Sequence, residues 1–295
     1  MATQIPSQLY FTEGPVWDPK ANVLYLTDMG APNGGAIYKF SPPSTFDVLL
    51  QPAGSADGIG LDPQNNVIAA GYPSRNAWHL SSGMMVPWSP CSGATTTCYM
   101  GSTINTPDDI TARSDGVIYF TDPTFALSMS GIAPVAATTG SSPPQATYRV
   151  TTDGMLHQED TTGNGPNGVN LSPDEKTLYV AYTLDANVYK FSVAGDGSLS
   201  NKTLFASQLS LADSMCVDAG GNVYVGTSGG LAVLDPSGNL LGTIPAGGTT
   251  TNCAFGGADQ KTLYITSHGY GAPAMGQGFL YKVDNWPVPG IAGQN

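Results

Sequence analysis

Six short motifs place a hard-oxygen side chain in a Gly- or Pro-rich turn ahead of an apolar run. They hold Glu13 in FTEGPVWD, Asp57 in SADGIGLD, Asp108 and Asp109 in NTPDDITA, Asn167 in GPNGVNLS, Asp213 in LADSMCVD and Asn252 in TNCAFGG. Carboxylate and amide oxygens suit Ca²⁺, Mg²⁺ or Mn²⁺, and a cation so held is a Lewis acid towards a carbonyl or phosphoryl group. Other chemistries leave no signature: G-x-S-x-G, the P-loop, H-E-x-x-H and Cys/His zinc spacings are missing, and His79, His157 and His268 stand in unrelated contexts. Asp and Asn also start turns, so any one of the six, taken alone, reads first as a turn residue. Their recurrence favours a shared role.

Each of the six lies eleven or twelve residues before an equivalent position in a β-branched and aromatic run: Tyr25, Ala69, Tyr119, Tyr179, Tyr224 and Tyr264. Successive equivalent positions are 44, 50, 60, 45 and 40 residues apart, the period of a four-stranded propeller blade. A second strand signal follows most of these runs, as in GAIYKF, ATYRV, NVYKFSV, GLAVLD and GFLYKVD, and no helical periodicity lies between. The sequence therefore reads as all-β, a six-bladed β-propeller formed by residues 1–295 as one domain. The innermost strand of each blade can turn one residue towards the axis. A central-channel metal site is then assembled from single residues a blade apart, without a local ligand motif. Rim insertions are expected around 78–103 and 129–145, where the repeat is stretched by polar, Gly- and Pro-containing sequence.

Composition narrows the partners. Ten Lys and Arg against 22 Asp and Glu give a formal net charge of −12 in 295 residues, too few cations to displace the counterions of a nucleic acid or to hold an anionic membrane. No apolar run reaches the ~18 residues of a membrane span, and MATQIPSQLYF has neither the basic start nor the apolar core of a secretion signal. A soluble protein is expected, and a monomer, because a closed propeller needs no partner to finish its core. Cys91 and Cys98 flank the polar loop SGATTT at a spacing that permits a local disulfide. With few lysines and many Ser and Thr, this leans towards a secreted or periplasmic protein. Cys216 in MCVD and Cys253 in NCAF read as small buried hydrophobes, not as a pair or a metal site.

The segments FTEGPVWD, NTPDDITARSDGVIYFTDP, GPNGVNLSPDEKTLYV, DSMCVDAGGNVYV and TNCAFGGADQKTLYIT resemble, in order, the blade motifs of the senescence-marker-protein/gluconolactonase family. GFLYKVDNWPVPG resembles its closing strand, so the resemblance runs from about residue 9 to about residue 290. It implies a six-bladed propeller with one divalent cation, held by a Glu, two Asn and an Asp, that hydrolyses lactones of sugar acids. Position by position, the ligands implied are Glu13, Asn167, Asp213 and, in place of the family's second Asn, Asp108. The usual P-N-D thus reads Pro107, Asp108, Asp109, and the Gly of the usual D-G-M is Ser214.

Three carboxylates around a divalent cation would make the site net negative, with tighter cation binding and a weaker effect on the pKa of bound water. Asp108 could equally be protonated or stand outside the ligand set. Ca²⁺ is the favoured ion, with Mg²⁺, Mn²⁺, Zn²⁺ and Fe²⁺ as alternatives. The resemblance makes Asp213 the general base and a small-molecule lactone the substrate. Asp109, Asn105 and Thr106, beside the metal position, are candidates for substrate binding, and Tyr72, Phe125 and Tyr270 for an apolar wall. Sugar-lactone members can carry an Arg near P-N-D, and INTPDD has none. Two alternatives stay open: an organophosphate or aryl ester hydrolase on the same site, and a propeller that binds a small molecule without hydrolysing it.

Overall fold

The runs VLYLTD, VIAAG, IYFTD, TLYVAY, VYVGT and TLYITSH each form the second strand of a four-stranded antiparallel sheet, and six such sheets make a six-bladed β-propeller in the computed structural model. The structure describes residues 1–71, 75–81, 84–87, 98–99, 102–124, 143–269, 276–291 and 293. Blade 1 comprises Thr12–Asp18, Val23–Asp28, Ala36–Ser41 and Thr45–Leu50, and blade 2 Ala56–Leu61, Val67–Gly71, Asn76–Ser81 and Met84–Pro87. Blade 3 has Ile110–Ala112, Ile118–Asp122, Ala146–Val150 and Leu156–Asp160; blade 4 has Pro166–Leu171, Thr177–Tyr182, Asn187–Val193 and Leu199–Ala206. Blade 5 is Met215–Val217, Val223–Thr227, Gly230–Leu234 and Leu240–Ile244. Blade 6 takes Thr249–Gly256, Thr262–His268 and Gly278–Val283 from the end of the chain and its outermost strand, Thr3–Leu9, from the beginning. That strand pairs Thr3 with Lys282 and Ile5 with Leu280, tying the two ends of the chain into one sheet.

The core lies in six seams between blades, not in one centre. Val16, Ile37, Ile59 and Trp78 fill the seam between blades 1 and 2, and Trp17, Leu24, Tyr264 and Leu280 the seam between blades 6 and 1. A blade buried on both faces needs no apolar/polar alternation, which is why second strands such as VYVGT are buried at every residue. The first strands touch one another in a closed circle and line the axis.

Two expectations change. The stretch reserved for an insertion from residue 78 begins instead with blade strands, since Asn76–Ser81 and Met84–Pro87 are the outer half of blade 2. Cys216 and Cys253, read as separate buried hydrophobes, are joined in a disulfide with a Cα–Cα distance of 5.5 Å. They are 37 residues apart, close to one repeat, and so sit on the adjoining inner strands of blades 5 and 6. Their apolar contexts reported the burial correctly; the pairing comes from the seam. Cys91 lies outside the described residues, as do residues 129–142 of the second insertion. No helix among the described residues is long and apolar enough to cross a membrane.

Candidate active site

All six recurrent oxygen residues lie near the start of an inner strand, at one end of the channel. Glu13, Asp57, Asn167 and Asn252 are inside their strands, and Asp108 and Asp213 precede theirs by two residues. Register shifts fall between Glu13 and Val16, Ala56 and Ile59, Pro166 and Val169, and Thr250 and Cys253. An extra residue at these points bends the strand and re-aims a side chain that regular pairing would send into a seam. Glycine follows several ring residues because the next blade passes close. A Cβ on Gly58 would lie 2.1 Å from Asp109 Oδ1, and one on Gly168 2.5 Å from Asp213 O.

Hydrogen bonds between blades hold this end as a belt. Thr27 Oγ1 donates to Asp57 O at 2.8 Å, the Gly58 N–H to Asp108 O at 2.7 Å, and the Thr121 hydroxyl to Asn167 O. Thr183 Oγ1 donates to Ala212 O at 2.6 Å, the Ser214 N–H to Thr251 O at 3.0 Å, and Thr251 Oγ1 to Thr12 O at 2.9 Å, which completes the circle. The backbone of the ring residues is therefore fixed by neighbouring blades before any ligand arrives.

The electrostatics of the ring are unfavourable as they stand. Burial, followed by the charges of Asp213, Asp108 and Asp109, holds Glu13 well above the usual carboxylate range. Burial, then Glu13, Asp213 and Asp109, does the same to Asp57; burial, then Asp57, Asp213, Asp109 and Asp122, does it to Asp108. Burial above all pushes Asp213 up to about 7, against hydrogen bonds from the Asn167 side chain and the Ser214 N–H. No Lys or Arg among the described residues offsets these four acids. Glu13, Asp57, Asp108 and Asn167 keep 4–7% of their surface open, and Asp213 is the most open of the ring.

This donor chemistry fits a hard divalent cation, which supplies the counter-charge the ring lacks and takes oxygen ligands. Among the described residues no three Asp, Glu, His or Cys side chains are grouped so as to hold a metal ion by themselves. An amide oxygen adjoins the acids as well: Asn167 Oδ1 accepts the Ser214 hydroxyl at 3.5 Å and would complement them as a donor to a cation.

Asp109, Asn105 and Thr106 are wholly buried. Asp109 Oδ1 accepts the Ile110 N–H at 2.9 Å and Oδ2 the Val169 N–H at 3.0 Å, so its carboxylate pins blade 3 to blade 4. Burial pushes it up to about 7, against these two bonds and one from the Ser214 hydroxyl. The Thr106 hydroxyl donates to Pro123 O at 2.8 Å, and Asn105 is tied to Asp122. In the structure these contacts brace the rim. Tyr72, Phe125 and Tyr270 lie outside the described residues. Sequence reasoning marked Ser214 only as a departure from a pattern and gave it no task. Its position directly after Asp213 and opposite Gly168 explains why one hydroxyl reaches both Asp109 and Asn167.

A six-bladed propeller with a ring of buried oxygen donors at one mouth of its channel defines a class of protein. Residues 11–269 match the family model described as SMP-30/Gluconolactonase/LRE-like region, and the chain belongs to that family. It is similar to a gluconolactonase of Zymomonas mobilis, 28% identical over 90% of this chain and 78% of that protein. Among solved structures, a gluconolactonase of Xanthomonas campestris superposes with a TM-score of 0.81 at 29% identity, covering 98% of this chain and 89% of the other. A calcium-binding regucalcin of Agrobacterium tumefaciens superposes with a TM-score of 0.74 over 97% of this chain and 94% of its own, and at 14% identity it bears on the fold alone.

Proposed function

We propose that the protein is a carboxylic ester hydrolase that opens a lactone of a sugar acid or another small cyclic ester, with a divalent cation held at the ring. The observation that carries the reading is the set of buried acids at one channel mouth without a basic partner, in a chain whose kinship with gluconolactonases spans nearly its whole length. Glu13, Asn167 and Asp213 would hold the cation, with Asp108 as the fourth ligand. Ca²⁺ is the ion best matched to an all-oxygen set that mixes carboxylates and an amide. When bound, the cation supplies Lewis-acid polarisation of the ester carbonyl.

The chain's own residues supply the rest. Asp213 is the most exposed acid of the ring, and its carboxylate is the group placed to take a proton from water. Water attacks the acyl carbon while Asp213 accepts its proton. The acyl C–O bond breaks, and the ring oxygen takes the proton back from Asp213 and leaves as the hydroxyl of the open acid. The Ser214 N–H, 3.1 Å from Asp213 Oδ1, holds the base in orientation. Asp109 acts as a positioning residue between blades 3 and 4.

Acid release from aldonolactones, organophosphates and aryl esters, measured on protein stripped by chelator and reloaded with single metals, tests this reading. Lactone hydrolysis should return with Ca²⁺ or another divalent ion and fall by ~10²–10⁴-fold in Asp213→Ala with folding intact. Turnover unaffected by chelation, or a normal rate in Asp213→Ala, overturns it. Turnover of organophosphates alone would move the substrate class.

A further inference from the structure

Outside the ring, three of the buried polar atoms left without partners among the described residues adjoin one another, on Arg75, Asn105 and Asp122. Arg75, between the second and third strands of blade 2, is 2% exposed. Its Nε donates to Ile104 O at 2.8 Å, whereas Nη2 has no partner among the described residues. The next residue along, Asn105, donates its N–H and its Nδ2 to Asp122 Oδ2 at 2.8 and 3.0 Å. Among the described residues that leaves Asn105 Oδ1 and Asp122 Oδ1 buried and without a formed hydrogen bond, although the Thr106 N–H also acts on the Asp122 carboxylate. Asp122 is close enough to favour the charged form of Arg75.

One free donor and two free acceptors around a single stretch of chain match a hydroxyl group, which gives one hydrogen bond and receives others. An apolar ligand would leave all three unsatisfied, and a simple anion would be repelled by Asp122. The cluster adjoins the ring: Asn105 is three residues from Asp108, the Asp108 N–H donates to Thr121 O at 3.0 Å, and Asp122 is among the charges acting on Asp108. The motif INTPDD contains no arginine, but the fold brings Arg75 to it across the seam from blade 2.

We propose that Arg75, Asn105 and Asp122 form a subsite that binds a hydroxyl of a polyhydroxylated substrate, making Arg75 a specificity-determining residue. The proposal rests on the lactonase reading for its substrate and, of the lactones and cyclic esters that reading allows, selects the polyhydroxylated ones. Asn105 enters through Oδ1 alone, because its amide nitrogen is held by Asp122 and by Pro143 O at 3.1 Å. Thr106 has no place in it, since its hydroxyl is given to Pro123 O. In the free protein a water can serve the three groups, and the ligand's hydroxyl would replace it.

The test compares glucono-δ-lactone with δ-valerolactone, the same ring without hydroxyls, on cation-loaded wild type and Arg75→Met. The variant should lose on the order of tenfold or more in kcat/KM for the hydroxylated lactone, through KM, with little change for the plain one. Equal losses on both, or no loss on either as for a structural water only, overturn the subsite. If Arg75→Met does not fold, Arg75→Lys is read the same way, and failure of both to fold makes Arg75 a structural residue and overturns the proposal. Calorimetry with 1,5-anhydroglucitol separates the two readings. Binding to wild type that weakens in the variant supports the subsite even if neither lactone is hydrolysed, and no binding to wild type overturns it.

Discussion

At the turn that leaves each inner strand, Asp18, Asp62, Asp115, Asp174, Asp218 and Asp259 accept the N–H of the residue two further on, at 2.8 to 3.1 Å. At the other end of the same strands stand Glu13, Asp57, Asp108, Asn167, Asp213 and Asn252. The first set is satisfied locally: the Ser172 hydroxyl and the Lys176 N–H hold Asp174 below its usual range. Basic residues are also at hand there, since Lys20 and Arg113 line a cavity of about 360 Å³ on that rim. In the second set, Asp57 and Asp108 gain no hydrogen bond that would lower them, and every acid is raised by burial and by its neighbours. Residue type and repeat spacing are alike at the two ends. What separates a turn acid from a site acid is whether the charge is compensated, and the cation proposed above belongs to the uncompensated rim.

The largest expected effect strikes at that contrast. Asp109, Asp122 and Asp213 are each pushed up to about 7, above their unfolded values, so the native state binds extra protons between about pH 4 and pH 7. Their stabilising contribution is fully present below about pH 4 and is lost as pH rises through about 7, a change on the order of several kcal/mol. Cation-free protein should therefore melt at a falling temperature from about pH 5 to about pH 8, and Ca²⁺ should restore the loss. A melting temperature flat or rising over that range would make the ring equivalent to the turn acids. Asp108→Asn sharpens the point: removing one charge should raise the melting temperature of the cation-free protein at about pH 8 and weaken Ca²⁺ binding by calorimetry.

Next in size is the bond behind the ring. Replacing both Cys216 and Cys253 with Ser should cost about 2–4 kcal/mol in urea unfolding, because the bond closes a loop close to one repeat in length. An unchanged stability would mean that the seam between blades 5 and 6 holds without it. Thiol trapping during isolation should find no free thiol at either position. The smallest effect belongs to the turn rim. Asp62→Ala removes three hydrogen bonds of one exposed turn and should cost about 1 kcal/mol with kcat unchanged. A loss of turnover there would erase the distinction between the rims.

Much of this was legible because it is written locally. Turn acids followed by β-branched runs marked Tyr119 and Tyr224 as equivalent strand residues, and the constant offset marked Asp108 and Asp213 as one residue recurring in every blade; the structure makes those strands the second of their blades. Asn76–Ser81 was harder to see, since its pairing partner is named by register and not by pattern. Ser214 and Arg75 carried no signal of their own. A serine after an aspartate and an arginine in a loop are ordinary until the fold places them beside Asn167 and Ile104.

The sequence by itself determined the blades, their number and order, and which residue types recur at each end of an inner strand, since strand and turn preferences depend on near neighbours. Only the tertiary structure decided that Cys216 meets Cys253, that Thr3–Leu9 completes the last blade, and that Asp109 is sealed between blades while Asp213 stays partly exposed. Burial and electric field at a side chain come from residues one blade away, some 40–60 positions along the chain, and that distance lies beyond what any local pattern encodes.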